Sequence, residues 1–551
     1  MYKPEKRSFK KRGVAGQLKG RSRIPKITPG AYSSLKKVFD SIGVPEKKKF
    51  KPDSFQVNAL SAIERSDCLV TAPTGAGKTW IAVKAIERVL DGLHGGIKDG
   101  PAGKDRKRAW YASPLKALSN AKYKEFSDIF GYDKVGLLIG DRKENPDAPV
   151  IVGTTEILRN QLYDAMHHGE SLDAELVVLD EAHFLGDPDR GVVWEEIMIY
   201  LPARIPLLML SATIGNADRI ALWLESIRFQ KCIIVKETKR PVPLLPIFFH
   251  PSGTLYPLMS QGRSKGKTRL HKKVNTYAGS FRPPLLSHPR KLPPFGDIIR
   301  VLGKYRLLPT IFFLKSRADC DHALDLCSHQ LSERPSRKIR LRIAELVNKH
   351  PSINRHRQMG HLNDMGVGSH HSGQLPAWKL VLETLMTEGL LKAVFATSTV
   401  AAGVNFPARS IVMLNSDRFN GREFMPLTST EFHQMTGRAG RRGKDNIGFA
   451  IVVPGKFMDI RLAARLVDLP PSDVASQIKI NFSMALNLLL SHTPEQIEEL
   501  LEKSFASFLT GNKKENQGRQ KRGNHRKHLE QAFSRHLNFL KEKGFAEDSG
   551  A

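Results

Sequence analysis

Short apolar runs alternate with amphipathic segments along the first half of the chain. The β-branched or leucine-rich runs are Cys68–Ala72, Arg108–Ala112, Val150–Gly153, Leu176–Leu179 and Pro206–Leu210. Runs of this length are typical of strands buried on both faces, and the segments between them have a helical period. The alternation predicts a parallel sheet covered by helices.

The second half contains another series of the same kind. Its apolar runs begin at Thr310 (TIFFL), Lys392 (KAVFAT), Ser410 (SIVML) and Gly448 (GFAIVV), with helical stretches between them. A chain of 551 residues exceeds what one core usually supports. We therefore expect two α/β domains whose architecture repeats without obvious repetition of sequence.

The last part of the chain has a different pattern. Its apolar positions recur at helical spacing, at Ile478, Phe482, Ala485, Leu486 and Leu489. A basic stretch and a second amphipathic helix, residues 529–540, follow. The pattern predicts a small helical third domain.

The excess of basic residues indicates a negatively charged partner. The 86 lysines and arginines outnumber the 55 aspartates and glutamates, and the formal charge of +31 indicates a polyanion such as nucleic acid. The first residues, to about Lys26, are basic and poor in apolar residues, which predicts a disordered tail that contacts nucleic acid or is simply solvated. A transit peptide is disfavoured because no apolar face accompanies the charges.

A second basic segment separates the two halves. Residues 252 to about 294 are rich in glycine and proline and have no sustained period. They are therefore expected to form an inserted loop, which either contacts the nucleic acid or is mobile and solvated.

The cysteines and the absence of targeting patterns favour a reducing, soluble compartment, and we expect the cytoplasm. Cys68, Cys232, Cys320 and Cys327 show no zinc spacing, and no segment resembles a signal peptide or a membrane span. Cys320 and Cys327 could share a helix face as metal ligands, but ordinary buried thiols are the favoured interpretation.

A glycine-rich run directly after the first strand has the pattern of a phosphate-binding loop. The expected nucleotide-binding residues are Ala72, Pro73, Thr74, Gly75, Ala76, Gly77, Lys78 and Thr79. Glycines let backbone N–H groups surround phosphate oxygens, the lysine binds the β and γ phosphates, and the threonine hydroxyl can ligate Mg²⁺. The run predicts an ATP site.

Adjacent carboxylates end the fourth strand, where ligands of parallel sheets bind. We expect Asp180 to hold Mg²⁺ and Glu181 to orient and deprotonate the attacking water. Ser211 and Thr213 follow the next strand and place two hydroxyls near the expected γ-phosphate position.

A basic run in the second half supplies candidate arginine fingers. Residues 434–443 read QMTGRAGRRG, and Arg438 and Arg441 lie three positions apart, so one helical face could present both to the same phosphate. Gln434 belongs to the same candidate set. Because these residues lie in the second half, the site would be complete only when the halves close.

Two further candidates have ordinary alternatives. Gln56 lies upstream of the phosphate loop, where its carboxamide could recognise adenine, but a surface glutamine is the simpler interpretation. His370 and His371 suggest metal ligands, yet adjacent side chains in an extended chain point to opposite faces, which favours a loop contact or a packing role.

Together these motifs resemble those of the superfamily 2 helicases. Their detailed sequences are similar to those of the superkiller-type and exosome-associated DExH RNA helicases. The specific strings are residues 113–120 (SPLKALSN), 122–126 (KYKEF), 154–159 (TTEILR) and 190–196 (RGVVWEE). The resemblance covers about residues 50–508. It implies two tandem RecA-like domains with parallel sheets and a partial winged-helix-like region.

The resemblance also implies a domain division. It assigns residues 1–48 to the basic tail, 49–236 to the ATP-binding domain, 237–456 to the second RecA-like domain with the insertion near 252–294, and 457–551 to the helical region. The chain stops before the family's helical ratchet domain and lacks the arch-like insertion. These departures bear on processive unwinding and exosome docking, and not on ATP hydrolysis.

Further site residues follow from the resemblance. It implies that nucleic-acid backbone contacts come from Pro114, Lys116, Thr155, Arg159, His371, Thr397 and Asn405. It also implies that Gly403 belongs to the ATP site, and Ser398 stands where an acidic residue is usual.

The expected activity is ATP-dependent movement from 3′ to 5′ on single-stranded RNA, or on an RNA duplex with a single-stranded overhang. ATP and Mg²⁺ are the expected cofactors, no membrane is expected, and a nuclease partner stays open. The alternatives are an archaeal-type DNA repair helicase, an ATP-gated RNA-binding clamp without processive unwinding, and an inactive scaffold. The scaffold is disfavoured because the residues for ATP chemistry are present.

Overall fold

Two eight-stranded sheets with helices on their faces organise the protein, as a computed structural model shows. The structure describes residues 24–46, 49–92, 107–260, 269–288, 291–327, 337–397, 407–419, 423–478, 481–512 and 524–545. The predicted α/β class with two tandem RecA-like domains is confirmed.

The strands of the described residues are short and mostly buried. In chain order they are β1 (Gly30–Ala31), β2 (Asp67–Thr71), β3 (Ala109–Ser113), β4 (Val135–Ile139), β5 (Arg142–Glu144), β6 (Val150–Thr154), β7 (Leu176–Asp180), β8 (Leu207–Ser211), β9 (Cys232–Lys236), β10 (Leu244–Phe249), β11 (Thr254–Pro257), β12 (Met259–Ser260), β13 (Arg269–Leu270), β14 (Thr310–Leu314), β15 (Val367–His370), β16 (Ala393–Thr397), β17 (Ser410–Met413), β18 (Asp417–Phe419), β19 (Phe424–Pro426) and β20 (Gly448–Val452).

The α-helices connect these strands and also form the end of the chain. They are α1 (Ser33–Asp40), α2 (Ser54–Ile63), α3 (Lys78–Leu90), α4 (Lys116–Phe130), α5 (Thr155–His167), α6 (Gly191–Tyr200), α7 (Ala217–Arg228), α8 (Lys272–Gly279), α9 (Phe295–Lys304), α10 (Arg317–Asp325), α11 (Arg337–Lys349), α12 (Met359–Met365), α13 (Pro376–Glu388), α14 (Ser429–Thr436), α15 (Ile460–Asp468), α16 (Phe482–Ser491), α17 (Pro494–Lys503), α18 (Phe505–Asn512) and α19 (Asn524–Glu542). Short 3-10 turns lie at Ala182–Gly186 and Pro351–Ile353.

The first sheet has the strand order β5-β4-β6-β3-β7-β8-β2-β9. All its pairs are parallel except β4 with β5. The five predicted runs are all strands of this sheet, and all residues of β2, β3, β6, β7 and β8 are buried because helices cover both faces. The carboxyl ends of these strands therefore meet at one edge, where the candidate side chains lie.

The second sheet has the order β1-β11-β10-β20-β17-β14-β16-β15 and includes a strand from the beginning of the chain. β1 pairs in parallel with β11, and α1 packs Leu35 and Phe39 into the core of this domain beside Ile27 and Ile42. The assignment of residues 24–46 to a disordered tail is therefore wrong, because a few apolar side chains suffice to anchor them. Residues 1–23 lie outside the described residues, and the tail stays a prediction there.

The segment between the halves is also more regular than its composition predicted. β11 pairs antiparallel with β10, β12 and β13 pair with each other, and α8 follows. Leu255, Leu258 and Val274 are completely buried. The prediction of a mobile solvated loop is wrong for these parts, whereas residues 261–268 and 289–290 lie outside the described residues.

The C-terminal helices pack on the first domain. Ala485, Leu488, Ile497 and Phe505 join the core that contains Trp223 of α7. The predicted helical region is present in the described residues, and the segment that leads to it, residues 469–478, crosses from the second domain to the first. We call these ten residues the connecting segment.

The cysteines are part of the buried interior. All four cysteines are buried free thiols, and burial raises the pKa of Cys68 and of Cys327 to about 12. Within the described ranges no group of three or more histidine, cysteine or carboxylate side chains could hold a metal ion. No described helix is both long and apolar enough to cross a membrane.

Candidate functional site

The predicted phosphate loop connects β2 to α3 at the carboxyl edge of the first sheet. Gly75 and Gly77 have φ angles of 82° and 89°, in the left-handed region that favours glycine. A Cβ atom at Gly77 would also lie 2.8 Å from Nη1 of Arg442 and 2.9 Å from Nε2 of Gln56. The left-handed conformation therefore favours glycine at position 77, and a Cβ atom there would displace the ends of the Arg442 and Gln56 side chains.

Lys78 is the first residue of α3, and its ammonium group lies inside the curve of the loop. Nζ donates hydrogen bonds to the carbonyl oxygens of Ala72, at 2.9 Å, and Pro73, at 3.4 Å. Burial lowers the pKa of Lys78, while the carboxylates of Glu181 and Asp180 oppose this shift. A cation at a helix N-terminus, surrounded by turning backbone, is suited to bind phosphate.

The two adjacent carboxylates follow β7 at the same edge. The backbone N–H of Glu181 donates to Oδ1 of Asp180 at 3.0 Å, and the Tyr111 hydroxyl donates to Oδ2. Burial raises the pKa of Asp180, and the neighbouring Glu181 raises it further. Glu181 has a φ of 60°, a left-handed conformation that a residue with a side chain adopts at a cost of about 1 kcal/mol or more.

Lys122 of α4 joins the site, although no role was predicted for it. Its Nζ donates to Oγ1 of Thr79 and lies 2.8 Å from it, and it makes a second bond of 2.8 Å to Glu125. Its charge also opposes the raised pKa of Asp180. The only sequence signal for it was its place in the KYKEF string.

The oxygen groups beside Lys122 suit Mg²⁺. The Thr79 hydroxyl and the Asp180 carboxylate are the hard oxygen ligands that this ion prefers. They lie at the start of α3 and at the end of β7, both at the carboxyl edge of the first sheet. The residues present therefore fit the expected ion.

His183 lies beside the second carboxylate. Its Nδ1 is 3.4 Å from Oε2 of Glu181, and within the described residues neither ring nitrogen makes a hydrogen bond of normal geometry. Burial lowers the pKa of His183 to about 4, and nearby Lys78 lowers it as well. The imidazole is therefore neutral at pH 7.

Gln56 is completely buried, so the surface-glutamine interpretation is wrong. Its Oε1 accepts a hydrogen bond from the backbone N–H of Asp53 at 2.8 Å, and its Nε2 donates to the Gly77 carbonyl at 2.9 Å. The carboxamide thus connects the start of α2 to the phosphate loop. It keeps one N–H and one lone pair, and adenine recognition stays a prediction.

The two predicted arginine fingers do not share a helical face. Helix α14 ends at Thr436, and the loop after it turns at Gly440, whose φ is 84°. Arg441 donates to Asp445 through Nε at 2.7 Å and Nη2 at 3.0 Å, within the second domain. The premise of a common helical face is therefore wrong.

Arg438 and Arg442 are the arginines of this loop that face the first domain. Arg438 is buried; burial lowers its pKa, and the carboxylate of Glu181 opposes this shift. Arg442, which was not predicted, donates from Nη1 to the carbonyl of Ala76 at 2.7 Å and from Nη2 to Oδ2 of Asp53 at 3.0 Å. Gln434 lies half-buried on α14, and its catalytic role stays a prediction.

Some of the expected nucleic-acid contacts lie at the start of α4. Pro114 accepts a hydrogen bond from Arg190 through its carbonyl, and Lys116 makes an exposed ion pair of 2.9 Å with Asp141. This position beside the carboxyl edge leaves the Lys116 ammonium accessible, so its predicted contact is physically possible.

Other expected contacts are less accessible. Thr155 is completely buried, and Arg159 pairs with the buried carboxylate of Glu196 at 3.3 Å. His371 is 3% exposed and lies 3.1 Å from Oδ1 of Asp321. Side-chain contacts from Thr155 and His371 find no support in this arrangement, because neither side chain faces solvent; the packing interpretation of His371 is favoured.

The last predicted positions surround β16. Thr397 ends this strand and is 9% exposed. Gly403 and Asn405 lie outside the described residues, as does Ser398. Their assignments to the ATP site and to the nucleic-acid groove stay predictions.

Comparisons with known proteins agree with this geometry. The model of the DEAD/DEAH box helicase family matches residues 53–220. "Probable helicase HelY" of Mycobacterium tuberculosis is 36% identical over 495 residues, which cover 83% of this chain and 51% of the relative.

Two further relatives are similar over comparable lengths of this chain. "DExH-box ATP-dependent RNA helicase DExH15 chloroplastic" of Arabidopsis thaliana is 34% identical, with coverage of 84% of this chain and 44% of the relative. "Superkiller complex protein 2" of Homo sapiens is 35% identical, with coverage of 83% and 37%. This chain therefore spans about half or less of each relative.

Proposed function

We propose that this chain, which contains a DEAD/DEAH box helicase domain and resembles the superkiller-type DExH helicases of superfamily 2, is an ATP-driven motor that acts on RNA. The observation that carries the proposal is the meeting of Lys78, Asp180 and Glu181 from the first domain with Arg438 from the second. Two of the similar proteins are named as RNA helicases, which favours RNA over DNA.

The first domain binds the nucleotide in this proposal. The phosphate loop surrounds the β and γ phosphates with N–H groups, and the Lys78 ammonium neutralises their charge. Thr79 and Asp180 would hold Mg²⁺, which neutralises charge on the phosphate oxygens when it is bound. Lys122 keeps the Thr79 hydroxyl oriented through its hydrogen bond of 2.8 Å.

Glu181 is the proposed general base. Its carboxylate lies beside neutral His183 and orients the attacking water, from which it accepts a proton. Arg438 stabilises the negative charge that moves onto the phosphate oxygens during transfer. The buried position of this guanidinium strengthens its interaction because few water molecules screen it.

Movement follows from the division of the site between two domains. Closure brings Arg438 to the nucleotide, and release of phosphate allows the domains to separate, so each cycle changes their relative position. We propose that RNA lies across the carboxyl edge of the first sheet and that the motor moves from 3′ to 5′, remodelling duplexes or ribonucleoproteins. Backbone-directed contacts would make this movement independent of sequence.

The test is steady-state ATP hydrolysis with no polymer, with single-stranded RNA and with single-stranded DNA at one salt concentration, since phosphate contacts are strongly salt dependent. Stimulation by RNA above that by DNA is expected, and Lys78→Ala should abolish it. Preferential stimulation by DNA would favour the repair-type alternative. Stimulated hydrolysis without duplex separation would favour the RNA clamp, and a folded protein without turnover would exclude the motor.

A further inference from the structure

One arginine of the second domain contacts the phosphate loop through a backbone carbonyl. Nη1 of Arg442 donates to the carbonyl of Ala76 at 2.7 Å, and Nη2 donates to Oδ2 of Asp53 at 3.0 Å. The loop's N–H groups are the groups that bind phosphate, whereas Arg442 binds one of its carbonyl oxygens. Arg442 therefore contacts the loop without using the N–H groups that the phosphates need.

The two acceptors of Arg442 belong to one connected unit of the first domain. Asp53 is the N-cap residue of α2, and its backbone N–H donates to Gln56 in the first turn of that helix. Gln56 in turn donates to the Gly77 carbonyl, one residue after Ala76. A single guanidinium thus binds both the start of α2 and the loop that α2 supports.

The position of the Arg442 guanidinium also limits the space around Gly77. A Cβ atom at this position would meet Nη1 of Arg442 at 2.8 Å and Nε2 of Gln56 at 2.9 Å. Both side chains therefore approach the same backbone position, one from each domain. The planar guanidinium suits this place because it donates in two directions at once.

The second domain thus reaches the ATP site at two different points. Arg438 is buried and interacts with Glu181, beside the reacting groups. The Arg442 side chain is 40% exposed and contacts the Ala76 carbonyl of the loop and the Asp53 carboxylate. Between them, Arg441 is held inside the second domain by Asp445. Neighbouring arginines of one loop therefore have three different sets of contacts.

We propose that Arg442 is a positioning residue that couples ATP binding to closure of the two domains, whereas Arg438 acts in hydrolysis. The proposal rests on the function proposed above. Loss of Arg442 leaves the reacting groups in place but weakens the closed arrangement, so the affinity for ATP falls and the maximal rate is kept. The exposed ion pair with Asp53 contributes little alone, and the charge-assisted bond to Ala76 contributes more.

The decisive experiment measures RNA-stimulated ATP hydrolysis and binding of a fluorescent ATP analogue in Arg442→Ala. We expect KM and Kd for the nucleotide to rise about 3- to 10-fold, the size of one net hydrogen bond at a partly exposed position, while kcat changes less than about twofold. Arg442→Lys should recover part of the affinity, because an ammonium can bind only one acceptor well.

Two further variants control for charge and for folding. Lys444→Ala removes another cation of the same loop, one whose hydrogen bond among the described residues goes to the Thr387 carbonyl of its own domain, and this variant should bind ATP normally. Asp53→Asn removes the ion pair but keeps a good helix-capping residue, and should cause a smaller loss than Arg442→Ala. All variants should melt within about 2 °C of the parent protein, as expected for substitutions at exposed positions.

The outcomes separate this inference from the proposed function. If the unmodified protein hydrolyses ATP and Lys78→Ala does not, the motor stands, and an unchanged KM and Kd in Arg442→Ala would overturn the role of Arg442. A fall in kcat with unchanged affinity would also overturn it, because it would place Arg442 with Arg438. If the unmodified protein does not hydrolyse ATP, the proposed function fails first.

Discussion

The two RecA-like domains contribute to the candidate ATP site in different ways. In the first domain the reacting groups are held by neighbours at one edge of one sheet: Lys78 by Ala72, Thr79 by Lys122, and Asp180 by Tyr111. The second domain reaches this edge through the loop after α14, with Arg438 buried and Arg442 partly exposed.

This difference separates preorganisation from control. Groups that hold one another need no rearrangement before they act, which is the condition for effective electrostatic catalysis. Groups from a second domain act only when that domain is in place. A binding event that changes domain closure can therefore regulate turnover without any change in the first domain.

The largest expected effect tests the first domain's chemistry. Replacing Glu181 by Gln keeps the size of the side chain but removes the base, and kcat should fall about 10²- to 10⁴-fold. ATP binding should persist, because Lys78 and the loop are unchanged. The measurement is single-turnover hydrolysis together with nucleotide binding.

Glu170→Gln is the matched control, since Glu170 is an exposed glutamate of the same domain. It should hydrolyse ATP at the parent rate. Parent-like kcat in Glu181→Gln would assign the base to another group and would remove the central residue of the first domain's site.

The second prediction tests the contribution of the opposite domain. Arg438→Gln removes a buried positive charge beside Glu181, and kcat should fall about 10²- to 10³-fold, as for the loss of other transition-state donors. Arg438→Lys keeps the positive charge but lacks the planar guanidinium, so its kcat should lie between those of the parent protein and Arg438→Gln. An Arg438→Gln variant with parent kcat would confine the second domain to a binding role.

The sequence predicted the first domain's part of this site well, because its signals are local. The glycine spacing before α3 and the apolar strand before Asp180 each lie within a few residues of the groups that they position. Lys122 has no such signal: its partner Thr79 lies 43 positions away, and only the folded sheet brings them together. Tyr111 and Asp180 likewise meet because β3 and β7 are neighbours.

The second domain's part was predicted less well. An assumed helix placed Arg438 and Arg441 on one face, but a left-handed turn at Gly440 and the hydrogen bonds to Asp445 give Arg441 another direction. The strand β1 was missed because its two residues are too short to show a period. In both cases tertiary contacts decide the structure, and the local pattern does not contain them.

The connecting segment, residues 469–478, makes a second set of contacts between the domains. The Ser472 backbone N–H donates to Thr430 of the second domain at 2.9 Å, and its carbonyl accepts from Gly215 of the first at 3.1 Å. Asn216 exchanges two hydrogen bonds of 2.8 Å with the backbone of Val474. The segment therefore contacts the loop after β8 and the helix that precedes Arg438.

The third prediction concerns Glu195, which holds this segment and the C-terminal helices on the first domain. Its carboxylate accepts hydrogen bonds from Ser476, Gln477 and Phe505, and burial raises its pKa from 4.5 to about 7. Because the folded pKa lies above the unfolded one, the stabilisation is complete below about pH 4.5 and is lost as the pH rises through about 7.

Glu195→Gln cannot titrate, so it should remove this dependence. Between pH 5 and pH 8 the parent protein should lose up to roughly 3 kcal/mol of stability relative to Glu195→Gln. The measurement is chemical unfolding of both proteins at several pH values, with Glu170→Gln as the exposed control. A difference that stays constant with pH would show that Glu195 does not change protonation when the helices dock.

The smallest expected effect belongs to Lys116, on the same edge as the ATP site but outside it. Its ion pair with Asp141 joins two exposed side chains, so Lys116→Ala should leave the stability of the fold almost unchanged. If Lys116 contacts an RNA phosphate, the variant should bind RNA a few-fold more weakly for every sequence, and the slope of log affinity against log salt should fall by about one. Hydrolysis without polymer should not change, because the preorganised groups of the first domain do not depend on this side chain. An unchanged salt slope would place the RNA elsewhere and would limit that edge to the nucleotide.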